Sequence, residues 1–276
     1  MLTQAEKAER FRELHARAGA FIIPNPWDIG SARILAQLGF EALATTSAGF
    51  AFSLGKPDGT IDRDTMMQHV SALAAATDLP VSGDLENGYG DAPDTAAETI
   101  RLAAAAGLVG GSIEDATGRL DDAIYDIAHA AERVRAAVEA AHSLPFPFML
   151  TARAENYLHG RPDLKDTIAR LRAYQEAGAD VLYAPGLTTQ EEIAEVVRSV
   201  DRPVNVVMGL QGAQLSLGEL AAIGVKRVSV GGSLCRTAFG ALLRAGREMQ
   251  TQGTFTYAKD AVSHREMGEL FARGLQ

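Results

Sequence analysis

The chain has 276 residues, 47% of them hydrophobic, a formal charge of −9 and a single cysteine, Cys235. That length and apolar content suffice for one large core, and α/β barrels of this size commonly fold as one unit, so residues 1–276 read as one domain. The acid excess excludes a basic groove for nucleic acid or for an anionic membrane surface, and one cysteine excludes an intramolecular disulfide or a cysteine metal cluster. The first twenty residues are charged and helical in pattern, with no apolar core of a secretion signal, and no apolar run is long enough to span a membrane. A cytoplasmic protein is expected.

After that first helix, strand-like and helix-like stretches alternate along the chain. The run Phe21 to Pro26 precedes a helix from Asp28 to Gly39. Ala42 to Ser47 is followed by a glycine-containing loop and a helix from Asp62 to Thr77. A third strand, PVSGDLE, leads to a helix from Asp94 to Ala106, and a fourth, Val109 to Asp115, leads through a short loop to an alanine-rich helix from Asp126 to His142. The fifth and sixth strands, Phe148 to Glu155 and Val181 to Gly186, precede helices from Leu164 to Ala177 and from Gln190 to Ser199. Pro203 to Gly209 and Arg227 to Gly232 complete the series, each with its helix, and Thr254 to Gln276 carries a further amphipathic helix. Eight such repeats predict an α/β fold, a closed (β/α)8 TIM-type barrel with an extra N-terminal helix and a C-terminal helical tail. Glycine before a strand recurs in LGFEAL, AGLVGG, AGADVL and IGVKRV, as expected where glycine ends a helix.

The stretch that stands out is SGDLENGYGD, Ser82 to Asp91. Strand alternation would put Asp84 and Glu86 on one face, with Gly88 and Gly90 shaping the exit loop. Barrel enzymes work where strands finish. Those positions hold Asn25 and Asp28; Ser47, Ala48 and Gly49; Asp84 and Glu86; Glu114 and Asp115; Arg153 and Glu155; and Asn205. Two carboxylates about 4 Å apart repel by roughly 4 kcal/mol at an effective dielectric near 20, so this mouth calls for a cation. With oxygen ligands only, Mg²⁺ is favoured, with Mn²⁺ possible and zinc disfavoured. Each residue also has a purely structural reading: the acids as turn or helix caps, Arg153 as a partner of Glu155, Cys235 as packing. The six histidines fall in helices or loops. Tyr89, Tyr125, Tyr157, Tyr183 and Arg119 could reach a substrate, and nothing in the sequence ranks them.

NPWDIGSARI, TTSAGFAFSLGKPDG, GDLENGYGD, SIED, TARAE and PVNVV, in this order and spacing, make nearly the whole chain resemble the isocitrate lyase and phosphoenolpyruvate mutase superfamily. The resemblance implies a barrel, usually tetrameric, that binds Mg²⁺ and an α-oxo or α-hydroxy carboxylate and acts through a pyruvate-enolate-like state. By motif, Asp84 would be the direct metal ligand. Asp58 of KPDG, Glu86 and Glu114 would hold the metal's waters, Ser47 to Gly49 would cradle the substrate carboxylate, and Arg153 would grip the oxygen-rich end. Asn205 is a weaker transfer. The chain departs from the lyase branch after SIED, where ATGRLDDAIY is shorter and lacks the Lys/Arg-Cys-Gly-His motif. It departs again at YAPG, where a glutamate is usual, and it lacks the longer loop of the mutase branch.

The resemblance therefore implies a Mg²⁺-dependent lyase of a small oxo or hydroxy acid, with a homotetramer or dimer expected. An oxaloacetate-type decarboxylase and a phosphonopyruvate (C–P) hydrolase are the alternatives within the family. From other classes come a phosphate-binding barrel aldolase or isomerase, suggested by Gly231 to Ser233, and an oxo-acid-binding protein without turnover. No lysine at a strand end supports a Schiff-base enzyme.

Overall fold

The computed structural model describes residues 2–210 and 214–272. The last four residues of the expected C-terminal tail lie outside the described residues. Eight parallel strands form one sheet in the order β1-β8-β7-β6-β5-β4-β3-β2. They are β1 (Phe21–Ile23), β2 (Leu43–Ala44), β3 (Val81–Asp84), β4 (Gly110–Glu114), β5 (Met149–Arg153), β6 (Val181–Tyr183), β7 (Val204–Val207) and β8 (Arg227–Ser229). The gap between β1 and β2 is bridged where Ala44 N–H donates to Pro24 O at 3.1 Å and Asn25 Nδ2 donates to Thr45 O at 2.8 Å. The expected (β/α)8 barrel is the observed fold.

The helices follow the sequence signals. Helix α1 (Gln4–Ala16) opens with a capping box between Thr3 and Glu6, and α2 (Ile29–Gln37) is capped by Asp28. Helices α5 (Pro93–Ala105), α7 (Leu164–Glu176) and α9 (Leu217–Ala222) end before Gly107, Gly178 and Gly224, all with positive φ, the left-handed exit that glycine adopts without a Cβ penalty. Helix α1 plugs the bottom of the barrel, where Phe11 and Leu14 pack with Phe21, Ile23, Val109, Met149 and Val181. Helix α6 (Ile127–His142) and α8 (Gln190–Ser199) cover the outside, and α10 (Ser233–Gln252) follows β8. The tail forms a 3₁₀ turn (Thr256–Asp260) and α11 (His264–Ala272), which returns onto α2 through a hydrogen bond from Gln37 Nε2 to Leu270 O. No helix among the described residues is long and apolar enough to cross a membrane.

Two local expectations are corrected. The segment after β2 is not an open loop but a short helix, α3 (Ser47–Ser53), followed by α4 (Arg63–Ala75). Thr46 caps α3, its hydroxyl accepting from Gly49 N–H at 3.2 Å. Strand β3 stops at Asp84, and Glu86 sits in the following turn with φ 49°, so strand alternation is not what orients it. Cys235 lies inside the first turn of α10, fully buried, with its thiol on Gly49 O at 3.5 Å.

Candidate active site

Arg153 closes β5 and is the hub of the strand ends. Parallel register sets Glu114 beside Arg153, Arg153 beside Tyr183, Tyr183 beside Asn205 and Asn205 beside Arg227. Neighbours in register share a face of the sheet, so this row points into the barrel. Arg153 Nη1 lies 2.9 Å from Asp84 Oδ1 and 3.2 Å from Glu114 Oε2, and its Nη2 lies 2.7 Å from Glu155 Oε1. Its guanidinium carbon stands 5.1 Å from the Tyr183 ring centroid. Burial opposes the Arg153 charge, but Glu155, Glu114 and Asp84 outweigh it and hold the guanidinium firmly protonated.

Asp84 is fixed from the opposite side. Ser47 N–H and Ser47 Oγ–H both donate to its Oδ2 at 3.0 Å, and its own N–H donates to Thr45 Oγ1 at 2.8 Å. The TTS triplet thus does three jobs: Thr45 ties down β3, Thr46 starts α3, and Ser47 orients the carboxylate. Ser47 and Ala48 line the central cavity, whereas Gly49 does not. A Cβ on Gly49 would meet Thr46 Cγ2 at 2.6 Å and Trp27 Cβ at 3.0 Å, so this position is packed closely by its neighbours.

The remaining acids surround this pair. Glu86 reaches the cluster from its left-handed turn; burial first, then the charges of Asp84 and Asp58, raise its pKa to about 7. Burial likewise raises Glu114, with Glu155, Asp84 and Glu86 adding to the shift and Arg153 opposing it. Asp58, on the cavity rim, is raised by desolvation and by Asp84. Glu86 Oε1 and the Tyr89 hydroxyl are buried without a hydrogen-bond partner. Among the described residues, the two non-glycine residues with positive φ are Glu86 and Tyr89 (φ 63°), both in this loop. Five carboxyl groups, of Asp58, Asp84, Glu86, Glu114 and Glu155, therefore gather about one guanidinium.

This donor set fits a hard divalent cation of a particular kind. No three acidic, histidine or cysteine side chains among the described residues converge as direct ligands would. Mg²⁺ tolerates that, because it keeps several of its waters and often takes only one or two carboxylates from the protein. Asp84 would be that ligand, and the orphaned Glu86 Oε1 is a polar atom still wanting a partner. The cavity beside the cluster has a volume of about 290 Å³, at the small end for ligand pockets.

A profile of the phosphoenolpyruvate phosphomutase family matches residues 11–250. The chain belongs to that family, within the isocitrate lyase and phosphoenolpyruvate mutase superfamily. A lyase/mutase candidate from Burkholderia cenocepacia is 68% identical, superimposes with a TM-score of 0.96, and the match covers 98% of this chain and 97% of that one. An uncharacterised protein of Mycobacterium tuberculosis is 35% identical over 80% of this chain and 81% of its own length. The oxaloacetate decarboxylase of Pseudomonas fluorescens is 27% identical, over 99% of this chain and 93% of its own length. Members of the superfamily are lyases and mutases.

In this phosphoenolpyruvate phosphomutase relative the short loop after SIED is closed on itself. Ala116 and Ile124 pair as an antiparallel bridge, Thr117 N–H donates to Ala123 O at 2.9 Å, and Arg119 reaches Asp91 at 2.9 Å and Asp122 at 3.2 Å. Tyr125 also donates to Asp91 Oδ1 at 2.5 Å. No residue from 116 to 124 lines the cavity. Asn205 does line it, but its amide is engaged: Oδ1 accepts from Arg227 Nε at 2.8 Å and Nδ2 donates to Ser229 Oγ at 3.0 Å. Asn25 lines the cavity while its amide closes the barrel seam, and Asp28 caps α2 away from the cavity. The Gly231 amide of the GGS segment is spent on Asn25 Oδ1 at 2.9 Å.

Strand-end reading overlooked Thr45, Arg227 and Arg236. Arg227 escaped because it begins β8 rather than ending it, although register with Asn205 could have revealed it. Arg236 projects from the first turn of α10 to the cavity wall and had no strand-end signal.

Proposed function

We propose that the protein is a Mg²⁺-dependent carbon–carbon lyase of a small α-oxo or α-hydroxy carboxylic acid, working through a stabilised enolate. The observation that carries this reading is the Arg153 guanidinium, pinned by Asp84, Glu114 and Glu155 at the wall of a small cavity with a surplus of carboxylates around it. When bound, Mg²⁺ supplies a Lewis acid that favours negative charge on the oxo oxygen. Arg153 adds a fixed cation that favours the enolate over the neutral ground state, a preference that lowers the barrier rather than merely tightening binding. Ser47 holds Asp84 in one orientation, and Glu155 together with Glu114 keeps the Arg153 fork from swinging.

Within this class, decarboxylation of an oxaloacetate-like β-oxo acid is favoured by one specific feature: the loop 116–124 brings no side chain to the cavity. Loss of carbon dioxide asks for enolate stabilisation but not for a base to open a hydroxyl-bearing carbon. The Pseudomonas fluorescens oxaloacetate decarboxylase aligns over nearly the whole chain and supports the same choice. Exposed Leu242 and Leu243 on α10 support assembly into a homo-oligomer. The test is oxo-acid release, with and without Mg²⁺, from oxaloacetate, 2-methylisocitrate, isocitrate, 2-alkylmalates and phosphonopyruvate. Metal-dependent release from one carboxylic acid is expected; release from phosphonopyruvate alone would move the protein to C–P chemistry.

A further inference from the structure

An enolate released at this site must gain a proton at carbon. The loop supplies none, the described histidines stay off the cavity wall, and Cys235 is turned away onto Gly49 O. Of the described side chains that do line the cavity, Asp84 is committed as an acceptor to Ser47 and Arg153, and Asp58 hangs at the exposed rim. The rest are alcohols, amides, apolar groups and arginines, apart from one phenol, Tyr183. Phenols are far more acidic than alcohols or guanidinium ions.

We propose that Tyr183 is the catalytic acid that protonates the enolate carbon. The inference rests on the enolate reading above. Its geometry follows from donor and acceptor rules along one buried chain. Arginine only donates, so Arg227 Nε at 2.8 Å makes Asn205 Oδ1 an acceptor. The Asn205 amide must then donate through Nδ2 to Ser229 Oγ at 3.0 Å. That leaves the Ser229 hydroxyl proton to offer toward the cavity wall that it shares with Tyr183. Tyr183 itself lines the cavity, where its O–H can meet a bound molecule. Arg227 is buried and, among the described residues, pairs with no carboxylate; its other contacts are Thr151 Oγ1 at 2.9 Å and His15 Nε2 at 3.4 Å. A phenolate formed at Tyr183 thus sits between two fixed cations, with Arg153 against its ring and Arg227 one register position beyond Asn205. Burial keeps the phenol protonated at neutral pH, as a donor must be.

The step balances. The Tyr183 O–H bond breaks and its pair stays on the phenolate oxygen; a C–H bond forms at the enolate carbon as the ketone is restored. Solvent returns a proton to the phenolate before the next turnover.

The test is exchange of the carbon-bound hydrogens of pyruvate and 2-oxobutyrate in deuterium oxide, followed by proton NMR with the Mg²⁺-loaded protein, beside calorimetric binding of oxalate, a planar enolate mimic. Tyr183→Phe is expected to lower the exchange rate more than thirtyfold while oxalate affinity stays within threefold. A smaller fall in exchange, or a fall matched by equal loss of oxalate affinity, overturns the assignment. Ser229→Ala, which removes the neighbour but not the acid, is expected to give a smaller loss than Tyr183→Phe; a larger one also overturns it. A parent protein with Mg²⁺-dependent oxo-acid turnover but no exchange fails the Tyr183 step alone, whereas a parent with neither fails the enolate reading and this step together.

Discussion

Residues 114 and 115 are adjacent in the chain and face two different arginine clusters. Asp115 points outward, where Oδ1 accepts from Glu155 N–H at 2.7 Å and Oδ2 takes Arg170 Nη1 at 3.0 Å and the Tyr174 hydroxyl. Arg170 is completed by Asp166 at 2.8 Å and by Tyr125 O. Both Asp115 oxygens are used, and none of these groups is left without a partner. Glu114 points inward to Arg153, where acids outnumber the cation, Glu86 Oε1 and the Tyr89 hydroxyl stay unpartnered, and a cavity opens alongside. Each cluster centres on one largely buried arginine, the outer one more deeply buried and with two acids about it rather than five. What separates a working site from a structural staple here is incomplete satisfaction, because buried polar groups are otherwise almost always paired.

Substitutions should separate the two clusters cleanly. Asp84→Ala is expected to lower Mg²⁺-dependent turnover at least a thousandfold, about 4 kcal/mol, while the urea midpoint stays the same or rises as repulsion among the acids eases. Arg170→Met should do the reverse: breaking one side of a buried pair costs about 3–5 kcal/mol, seen as a lower urea midpoint, with turnover of the folded fraction within a few-fold of the parent. Equal stability losses in both variants would erase the distinction.

Below both clusters, the barrel floor carries the opposite imbalance, a cation without an acid. Burial, reinforced by the Arg227 charge, lowers the His15 pKa to about 3. Its Nδ1 meets Phe11 O at 2.8 Å, which leaves Nε2 to accept from Arg227. Between pH 6.5 and about 3 the unfolded chain binds a proton at His15 that the folded chain refuses. Stability from this group is therefore full above pH 6.5 and falls with acidification, by up to about 1.4 kcal/mol per unit. His15→Gln should flatten that part of a stability-against-pH curve; an unchanged slope would count against a neutral His15. The smallest effect is expected at Cys235: Cys235→Ala should leave turnover within threefold, and a loss beyond tenfold would refute its packing role.

The barrel was legible in the sequence because eight apolar runs alternate with capped, glycine-ended helices, and each signal is local. Asp84, Arg153 and Glu114 were legible for the same reason, standing at strand ends where polar groups have no packing excuse. Helix α3 was not: it spans seven residues, carries a glycine, and its cap Thr46 hides inside an apolar run. Glu86 was found for the wrong reason. Alternation carried β3 two residues too far, and no pattern announces a glutamate in a left-handed turn. Arg227 and Thr45 escaped because their importance lies in register and hydrogen bonding across strands distant in sequence.

The most direct test of the over-acidic Arg153 cluster as a metal and enolate site is calorimetric titration of oxalate into the protein with Mg²⁺ and with chelator, in the parent and in Asp84→Ala. Oxalate binding that requires Mg²⁺ and disappears in Asp84→Ala is the expected result. Binding of equal strength in chelator, or in Asp84→Ala, would contradict the assignment of this cluster as a metal site.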